Sequence, residues 1–478
     1  AAASGALALV SAGFLAVHLA PRYDELHTLS HLGDEDLGAL WRSYRQARDT
    51  LPPSGYVVSW LWATVFGSSL LAARSLVVVS WGVAAATLSV TCRRAGPWAA
   101  FVAGLVPSAT SLLYLGAFAR PYAPALAAAA LGVASWHRSG EVDRRGRWLA
   151  ASAASFAVAA SLHYLVAAVA LGCAVASVVV VPAGGRRWSP RATWPVVGAV
   201  LPLVASAPLY RRAAADQGRL ARSVRSLDVV AFWPSVLRPM VIPVTLGVAV
   251  TLLVAVVGRR RRPAPGSPRA ALDRELLVLA MAVVVLAPVG AVVAMAMASG
   301  TYVHRYGVGA LVGASLLAAA GVATATRSDR RCGPVLAGSA VLAVAVATSS
   351  IAGSWLSAST ADALPRSLGL DREPGAVVLV LDEYELLLLR RVAVADGPVD
   401  LVLAGRRTVA DAPPAVDPDA VLRDAAAEGR SVLVVGDQHQ VQALLRSQRG
   451  WRAQRIAETS YRRPGVDRVV GTYRLERR

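Results

Sequence analysis

The sequence predicts a polytopic α-helical membrane protein that carries a small α/β domain at its C-terminal end. Three observations support this fold class. Hydrophobic residues make up 55% of the 478 residues and charged residues only 17%, whereas a soluble chain has about 25% charged residues. Over residues 1–352, long apolar stretches alternate with short arginine clusters. Residues 353–478 instead alternate short strand-like runs with helical spacing.

Apolar segments of near-spanning length predict about eleven membrane spans, since roughly 20 apolar residues cross a hydrocarbon core of about 30 Å. The first segment is short, but it has no convincing cleavage site and is expected to be a retained span. The segments lie at 4–20, 70–91, 97–117, 121–137, 149–164, 165–182, 194–210, 239–257, 276–298, 307–325 and 334–352.

The positive charge belongs to the hydrophobic part of the chain. Lysine is absent, and residues 1–352 hold 31 arginines against 13 acids, whereas residues 353–478 hold 18 against 17. A nucleic-acid-binding protein concentrates its basic residues on a polar domain, so this distribution argues against nucleic acid as a partner. The three cysteines, Cys92, Cys173 and Cys332, lack the spacing of a zinc module or a disulfide scaffold.

Arginine clusters predict which loops face the cytoplasm. Five clusters fall in alternate loops, near residues 93–94, 138–147, 186–191, 259–274 and 327–331. Because basic loops are retained on the cytoplasmic side, these loops are placed inside. Residues 21–69, 113–120, the turn at 163, 211–238, 299–306 and everything after residue 353 then lie outside. The 211–238 loop carries six arginines and is expected to lie on anionic headgroups.

Residues 353–478 are expected to form an extracytoplasmic α/β domain, distinct from a transmembrane domain of residues 1–352. Short apolar runs at 376–381, 399–403 and 431–435 are typical of buried strands, and the spacing over 419–428 predicts a helix. This alternation favours a partly parallel sheet. No glycine-rich phosphate loop follows a strand, which argues against nucleotide binding.

The acids of the membrane part gather in the first outer loop. Six of the 13 fall within 26 residues: Asp24, Glu25, Asp34, Glu35, Asp36 and Asp49. Asp24 and Glu25 come directly after the first span, and a partly desolvated carboxylate at the outer edge of the bilayer is suited to general-base catalysis. The alternative is an acidic loop that is merely solvated. Residues 36–49 and 54–67 are both expected to be interfacial helices.

The order of motifs along the chain resembles one family. The motifs are Asp24-Glu25, the Asp49-x-x-Pro52-Pro53-x-x-Tyr56 run, Phe66-Gly67, Ala73-Arg74, Arg120-x-Tyr122-Ala123, His163-Tyr164 and Arg305-Tyr306. Together they resemble the GT-C class of membrane glycosyltransferases, in the protein mannosyltransferase and aminoarabinose transferase superfamily with its bacterial glycosyltransferase members. This chain departs from the pattern at Leu51, where the family usually has histidine.

The resemblance implies inverting transfer of a sugar from a polyprenyl-phosphate-sugar donor to a cell-envelope acceptor (protein, lipid or glycan) at the outer face of a bacterial cytoplasmic membrane. Asp24 would be the general base, and Glu25 would orient it or the acceptor. Arg120 and Arg305, with Tyr122 and Tyr306, would bind the donor phosphate. Asp49, Tyr56, His163 and Tyr164 would position the acceptor or the loop. No cofactor is required, although the loop acids are able to hold a divalent metal.

Other interpretations remain for the residues and for the whole chain. Arg120 and Arg305 also fit side chains that snorkel at span ends, and His163 also fits a structural hydrogen bond. At the level of function, the alternatives are a transporter or flippase of lipid-linked sugars and a non-catalytic envelope-assembly protein. A transporter would place charges near the bilayer midplane and often show repeats, whereas the span interiors here hold few ionisable groups and no evident repeat.

Overall fold

The computed structural model describes residues 1–19, 25, 28–29, 31–32, 34–47, 51–140, 145–180, 189–217, 227–243, 245, 268–297, 304–328, 330–355, 377–381, 400–403, 418–428, 431–436, 438–447, 451–463 and 466–477. Two compact units make up the chain. The first contains residues 1–17 and 49–351, and the second contains residues 18–48 and 352–478. The acidic loop after the first helix therefore clusters with the C-terminal region rather than with the spans.

Helices account for most of the first unit, and strands occur in the second. In chain order the α-helices are α1 (Ala2–His18), α2 (Leu37–Ala47), α3 (Pro53–Phe66), α4 (Leu70–Thr91), α5 (Pro97–Leu105), α6 (Tyr122–Arg138), α7 (Arg145–Leu162), α8 (Ala167–Val179), α9 (Pro190–Gln217), α10 (Leu227–Leu237), α11 (Pro268–Met297), α12 (Ala310–Ser328), α13 (Cys332–Trp355), α14 (Pro418–Ala427) and α15 (Gln438–Ser447). The strands are β1 (Val377–Val380), β2 (Asp400–Leu403), β3 (Val432–Gly436), β4 (Trp451–Arg463) and β5 (Val466–Arg477).

Five of the described helices are long and apolar enough to cross a membrane: α4, and stretches of α9, α11, α12 and α13. Shorter apolar helices cover Ala2–His18, Pro97–Ala109 and Tyr164–Val179. These elements confirm the predicted α-helical membrane fold. The number of spans, about eleven, stays a prediction, and most of the apolar segment at 239–257 lies outside the described residues.

The local sequence explains where the outer helices begin and end. Pro53 opens α3, where its missing N–H costs nothing because the first turn has no partner for it. Gly67 ends α3 at a φ of +88°, in the left-handed region that glycine enters without a steric penalty. The Ser69 hydroxyl then caps α4 by accepting from the Ala72 N–H at 3.1 Å. Two helices and a tight turn between them follow from these three residues.

The segment at 97–117 is not one continuous span. The α-helix α5 ends at Leu105, and 3-10 turns cover Val106–Ala109 and Ser111–Gly116. Pro107 supplies no backbone N–H, which favours a break in the α-helical ladder. Because this irregular backbone is buried among the helices, its polar groups are shielded from lipid. The segment leads directly to Arg120 and to the start of α6.

The segment at 211–238, expected to be an outer loop on the headgroups, contains helix in its described residues, and its side of the membrane stays a prediction. The helix α9 continues to Gln217, and α10 covers Leu227–Leu237. Phe232 in α10 is fully buried, and a Cβ at Gly307 would overlap its ring. Packing of this aromatic side chain against the 304–307 turn explains why the segment folds as a helix rather than remaining an irregular loop.

In the second unit, a mixed sheet confirms the predicted strands and helix. The strand order is β2-β1-β3-β5-β4, with β2, β1 and β3 parallel and with β5 antiparallel to both β3 and β4. A core that includes Leu379, Val434 and Leu422 of α14 lies against one face. In the acidic loop, Asp36 caps α2 by accepting from the Ala39 N–H at 2.6 Å.

Candidate functional site

Polar and aromatic side chains from four separate segments of the first unit meet around His163. Tyr56 comes from α3, Tyr122 from the first turn of α6, and Tyr306 from a 3-10 turn at His304–Gly307. The His163 ring lies 4.9 Å from the Tyr122 ring and 6.3 Å from the Tyr306 ring, between centroids. These residues, with Arg120 and Arg305, form what is called the His163 cluster below.

Two arginines belong to the His163 cluster. Arg120 is 8% exposed, and its Nη1 donates a hydrogen bond to the Tyr56 hydroxyl at 3.1 Å. The Arg305 guanidinium lies over the Tyr306 ring, with Cζ 5.6 Å from the centroid. Both guanidinium charges act on the His163 imidazole. The structure therefore brings together six of the predicted site residues, which come from four separate segments of the sequence.

Close packing between helix ends holds the cluster in place. The Ser54 hydroxyl donates to the Ser161 carbonyl, which docks the start of α3 on the end of α7. A Cβ at Gly55 would lie only 3.0 Å from Pro121, so this glycine allows α3 to approach the residue that precedes α6. Tyr56 follows immediately, and it is this approach that places its hydroxyl beside Arg120.

His163 occupies the turn between α7 and the next helical segment. Its backbone is extended, at φ −155° and ψ 109°, so the chain leaves the helix at this residue. The side chain is 2% exposed, and Nδ1 has no hydrogen-bond partner within the described part of the chain. Burial, followed by the charges of Arg120 and Arg305, lowers the pKa of His163 to about 3. The ring is therefore neutral near pH 7, with one N–H donor and one acceptor nitrogen.

The remaining predicted site residues are Glu25, Asp24, Asp49 and Tyr164. Tyr164 follows His163 in the turn, but the contacts described above do not include it. Glu25 is fully buried in the second unit. Asp24 and Asp49 lie outside the described residues, so the assignment of a catalytic base stays a prediction. Among the described residues, no group of three His, Cys, Asp or Glu side chains is arranged to hold a metal ion.

Arg74 is a buried cation to which sequence reasoning gave no role. It is 1% exposed, its Nη1 donates to the Ala16 carbonyl in the last turn of α1 at 2.7 Å, and its Cζ lies 5.9 Å from the Phe118 ring centroid. The last carbonyls of a helix lack intrahelical partners, so Arg74 fixes the end of α1. The signal was available, because an arginine inside an apolar span requires a polar partner.

Comparison with known proteins shows a fold-level likeness. No protein-family model and no curated protein matches the chain. Two crystal structures of ArnT from Cupriavidus metallidurans do match, one in the apo state and one bound to undecaprenyl phosphate. Each has a TM-score of 0.58 at 17% identity, over 98% of this chain and 96% of the ArnT chain. The chain has the ArnT fold. This likeness confirms the predicted membrane architecture with its small C-terminal α/β region.

Proposed function

We propose that this protein is a membrane glycosyltransferase that transfers a sugar from a polyprenyl-phosphate donor to a cell-envelope acceptor, with inversion, at the outer face of the cytoplasmic membrane. The ArnT fold over nearly the whole chain supports a lipid-linked substrate, since one of the two ArnT structures is bound to undecaprenyl phosphate. The observation that carries the proposal is the convergence of Arg120 and Arg305 on the buried, neutral His163.

The His163 cluster has the chemistry of a phosphate site. Guanidinium groups present planar, paired N–H donors that match phosphate oxygens, and here the charges of two of them act on the buried His163 ring. Tyr56 orients the Arg120 guanidinium through its hydroxyl. The Tyr122 and Tyr306 rings flank His163, whose neutral imidazole offers one N–H donor and one acceptor nitrogen to a ligand. The sugar-bearing phosphate of the donor would bind to the two arginines.

The proposed reaction is a single displacement. Asp24 accepts the proton of an acceptor hydroxyl, the hydroxyl oxygen bonds to the anomeric carbon, and the bond from that carbon to the phosphate oxygen breaks. Polyprenyl phosphate leaves with the negative charge, which Arg120 and Arg305 stabilise as it develops. Because one nucleophile attacks opposite one leaving group, the configuration at the anomeric carbon inverts. A retaining enzyme would instead need a second carboxylate as nucleophile.

Substitution of the proposed base is the direct test. We expect Asp24→Asn to abolish sugar transfer while the protein is still produced and inserted, because an amide does not accept the hydroxyl proton. The measurement is the sugar content of envelope glycans in a deletion strain that expresses each variant. Glu35→Gln is the matched control, since Glu35 is an exposed acid of the same loop, and it should restore wild-type glycans.

The Asp24→Asn variant tests one alternative function, and an assay in proteoliposomes tests the other. A non-catalytic assembly protein would function normally with Asp24→Asn, and that result would contradict the role of Asp24. A flippase would move a lipid-linked sugar across vesicles without forming a new glycosidic bond. Purified protein in proteoliposomes with a polyprenyl-phosphate sugar would then show translocation but no transfer to added acceptor.

A further inference from the structure

A second basic site lies at the far end of α6 from the His163 cluster. An open pocket is lined by the C-terminal residues of α4 and α6 and by the turn that follows α4: Val90, Thr91, Arg93, Arg94, Ala134, His137 and Arg138. The start and end of α6 are about 24 Å apart along the helix axis, at 1.5 Å for each residue. We propose that this pocket, called the α4–α6 pocket below, binds the phosphate of an anionic phospholipid headgroup.

Positive charge dominates the α4–α6 pocket. Three of its lining residues are arginines, one is histidine, and no acidic residue is among the described residues that line it. Arg93 and Arg94 are exposed, whereas His137 is only 5% exposed. In the predicted topology this end of the bundle faces the cytoplasm, where anionic lipids attract basic pockets between spans.

Backbone groups and one serine cap several carbonyls at the end of α6. At the end of α6, the Ser135 carbonyl accepts from the Ser139 N–H at 3.0 Å, and the His137 carbonyl accepts from the Gly140 N–H at 3.1 Å. The Trp136 carbonyl accepts from the Ser139 hydroxyl at 2.6 Å. Backbone groups and one serine thus satisfy the carbonyls that a C-terminal arginine often serves.

The end of α4 is satisfied in the same way. The Leu88 carbonyl accepts from the Cys92 N–H at 3.2 Å, the Cys92 carbonyl from the Ala95 N–H at 2.9 Å, and the Arg93 carbonyl from the Gly96 N–H at 3.3 Å. The turn after α4 therefore closes on its own backbone.

An aromatic ring orients one of the pocket arginines. The Arg138 guanidinium lies over the Trp148 ring, with Cζ 4.9 Å from the centroid. Stacking uses the flat face of the guanidinium and leaves its N–H edges for hydrogen bonds, which is the geometry that phosphate binding requires. Holding the side chain in one orientation also reduces the entropy lost when an anion binds.

Exposed apolar side chains two helical turns from the pocket favour a lipid over a free phosphate ion. Val83 of α4 is 40% exposed, and Leu131 of α6 is 43% exposed. Val83 precedes Val90 by seven residues, and Leu131 precedes Arg138 by seven, so each lies on the helix face that reaches the pocket. A phosphate in the pocket would place attached acyl chains along these two side chains.

The test compares anionic and neutral lipids on the purified full-length protein. Native mass spectrometry would count phosphatidylglycerol and phosphatidylcholine retained by the wild type, by Arg93→Gln/Arg94→Gln, and by Arg330→Gln/Arg331→Gln. The control pair removes the same charge from two exposed arginines that do not line the pocket. We expect the wild type to prefer phosphatidylglycerol, with binding reduced about fivefold for each pocket arginine removed and unchanged in the control.

Three results would overturn this proposal. Equal loss in the control pair would show that the basic surface attracts lipid without a defined site, and unchanged retention by Arg93→Gln/Arg94→Gln would show that the pocket is not involved. Inorganic phosphate is the third arm: if it displaces the lipid at millimolar concentration, the site binds a free anion instead. If the double variant does not fold, Arg138→Gln removes a single pocket charge and serves the same comparison.

Discussion

At the scale of single residues, His163 shows how the folded chain controls a titratable group. Its ring is buried, and two guanidinium groups act on it, so the pKa falls from 6.5 to about 3. In an unfolded chain the same ring would bind a proton below about pH 6.5. Between these two values the unfolded state binds more protons than the native state, and stability therefore decreases as the pH falls.

This linkage predicts an acid-sensitive fold. Between pH 7 and pH 5, His163 should account for a loss of about 2 kcal/mol in the free energy of unfolding. We expect the thermal midpoint of the purified wild type to fall over this range and that of His163→Gln to fall less. Identical pH profiles for the two proteins would contradict a buried neutral ring at this position.

The sequence identified the residues of the His163 cluster but not the contacts among them. Arg120, His163 and Arg305 were expected at one membrane edge because the topology places their loops on the same side. The hydrogen bond from Arg120 to Tyr56 depends on Gly55 and Pro121 allowing two helices to approach, which no local pattern specifies. Arg74 was part of a motif, yet its partner, the Ala16 carbonyl, is 58 residues away in the sequence.

At the scale of elements, a largely buried ion pair joins two long helices, α9 and α11. Arg191 of α9 and Glu275 of α11 are 2.7 Å apart, from Nη1 to Oε1, at 16% and 10% exposure. The same guanidinium lies over the Trp136 ring at 4.8 Å, and its Nε donates to the Ser139 hydroxyl at 3.2 Å. One arginine thus links α6, α9 and α11.

Breaking this pair should destabilise the bundle strongly. Glu275→Gln leaves a largely buried guanidinium without its charge partner, a change that typically costs about 3 kcal/mol. Thermal unfolding should show a lower midpoint for this variant than for Arg191→Met/Glu275→Met, which removes both charges. If the single variant is as stable as the wild type, the pair contributes little to the bundle.

Elements differ in how well their sequences predict them. The strands β1 and β3 follow from short apolar runs, and α2 follows from its Asp36 cap and helical spacing. The segment after α5 is expected to be part of one span, because its residues are apolar throughout. An average of hydropathy over the segment does not register the break at Pro107. Likewise α10 lies in a segment expected to be a loop, because arginines flank it. The burial of Phe232 depends on a distant turn at Gly307, so the local sequence does not indicate it.

At the scale of the whole molecule, the architecture is retained where sequence identity is only 17%. Alternating apolar segments and arginine clusters are enough to specify a membrane fold, since they require only the right class of residue in each segment. The excess of arginine is largely a signal of topology. Arg120 and Arg305 carry the proposed chemistry instead, because both guanidinium charges act on the buried His163 ring.

Binding of undecaprenyl phosphate to purified protein tests the proposed phosphate site most directly. We predict that Arg305→Gln weakens binding about 10-fold to 100-fold, because a charge-assisted hydrogen bond contributes roughly 1.5–3 kcal/mol. The control variant Arg330→Gln removes an exposed arginine outside the His163 cluster. It should bind undecaprenyl phosphate like the wild type. Equal affinities for the wild type and Arg305→Gln would contradict the assignment of the His163 cluster as the donor-phosphate site.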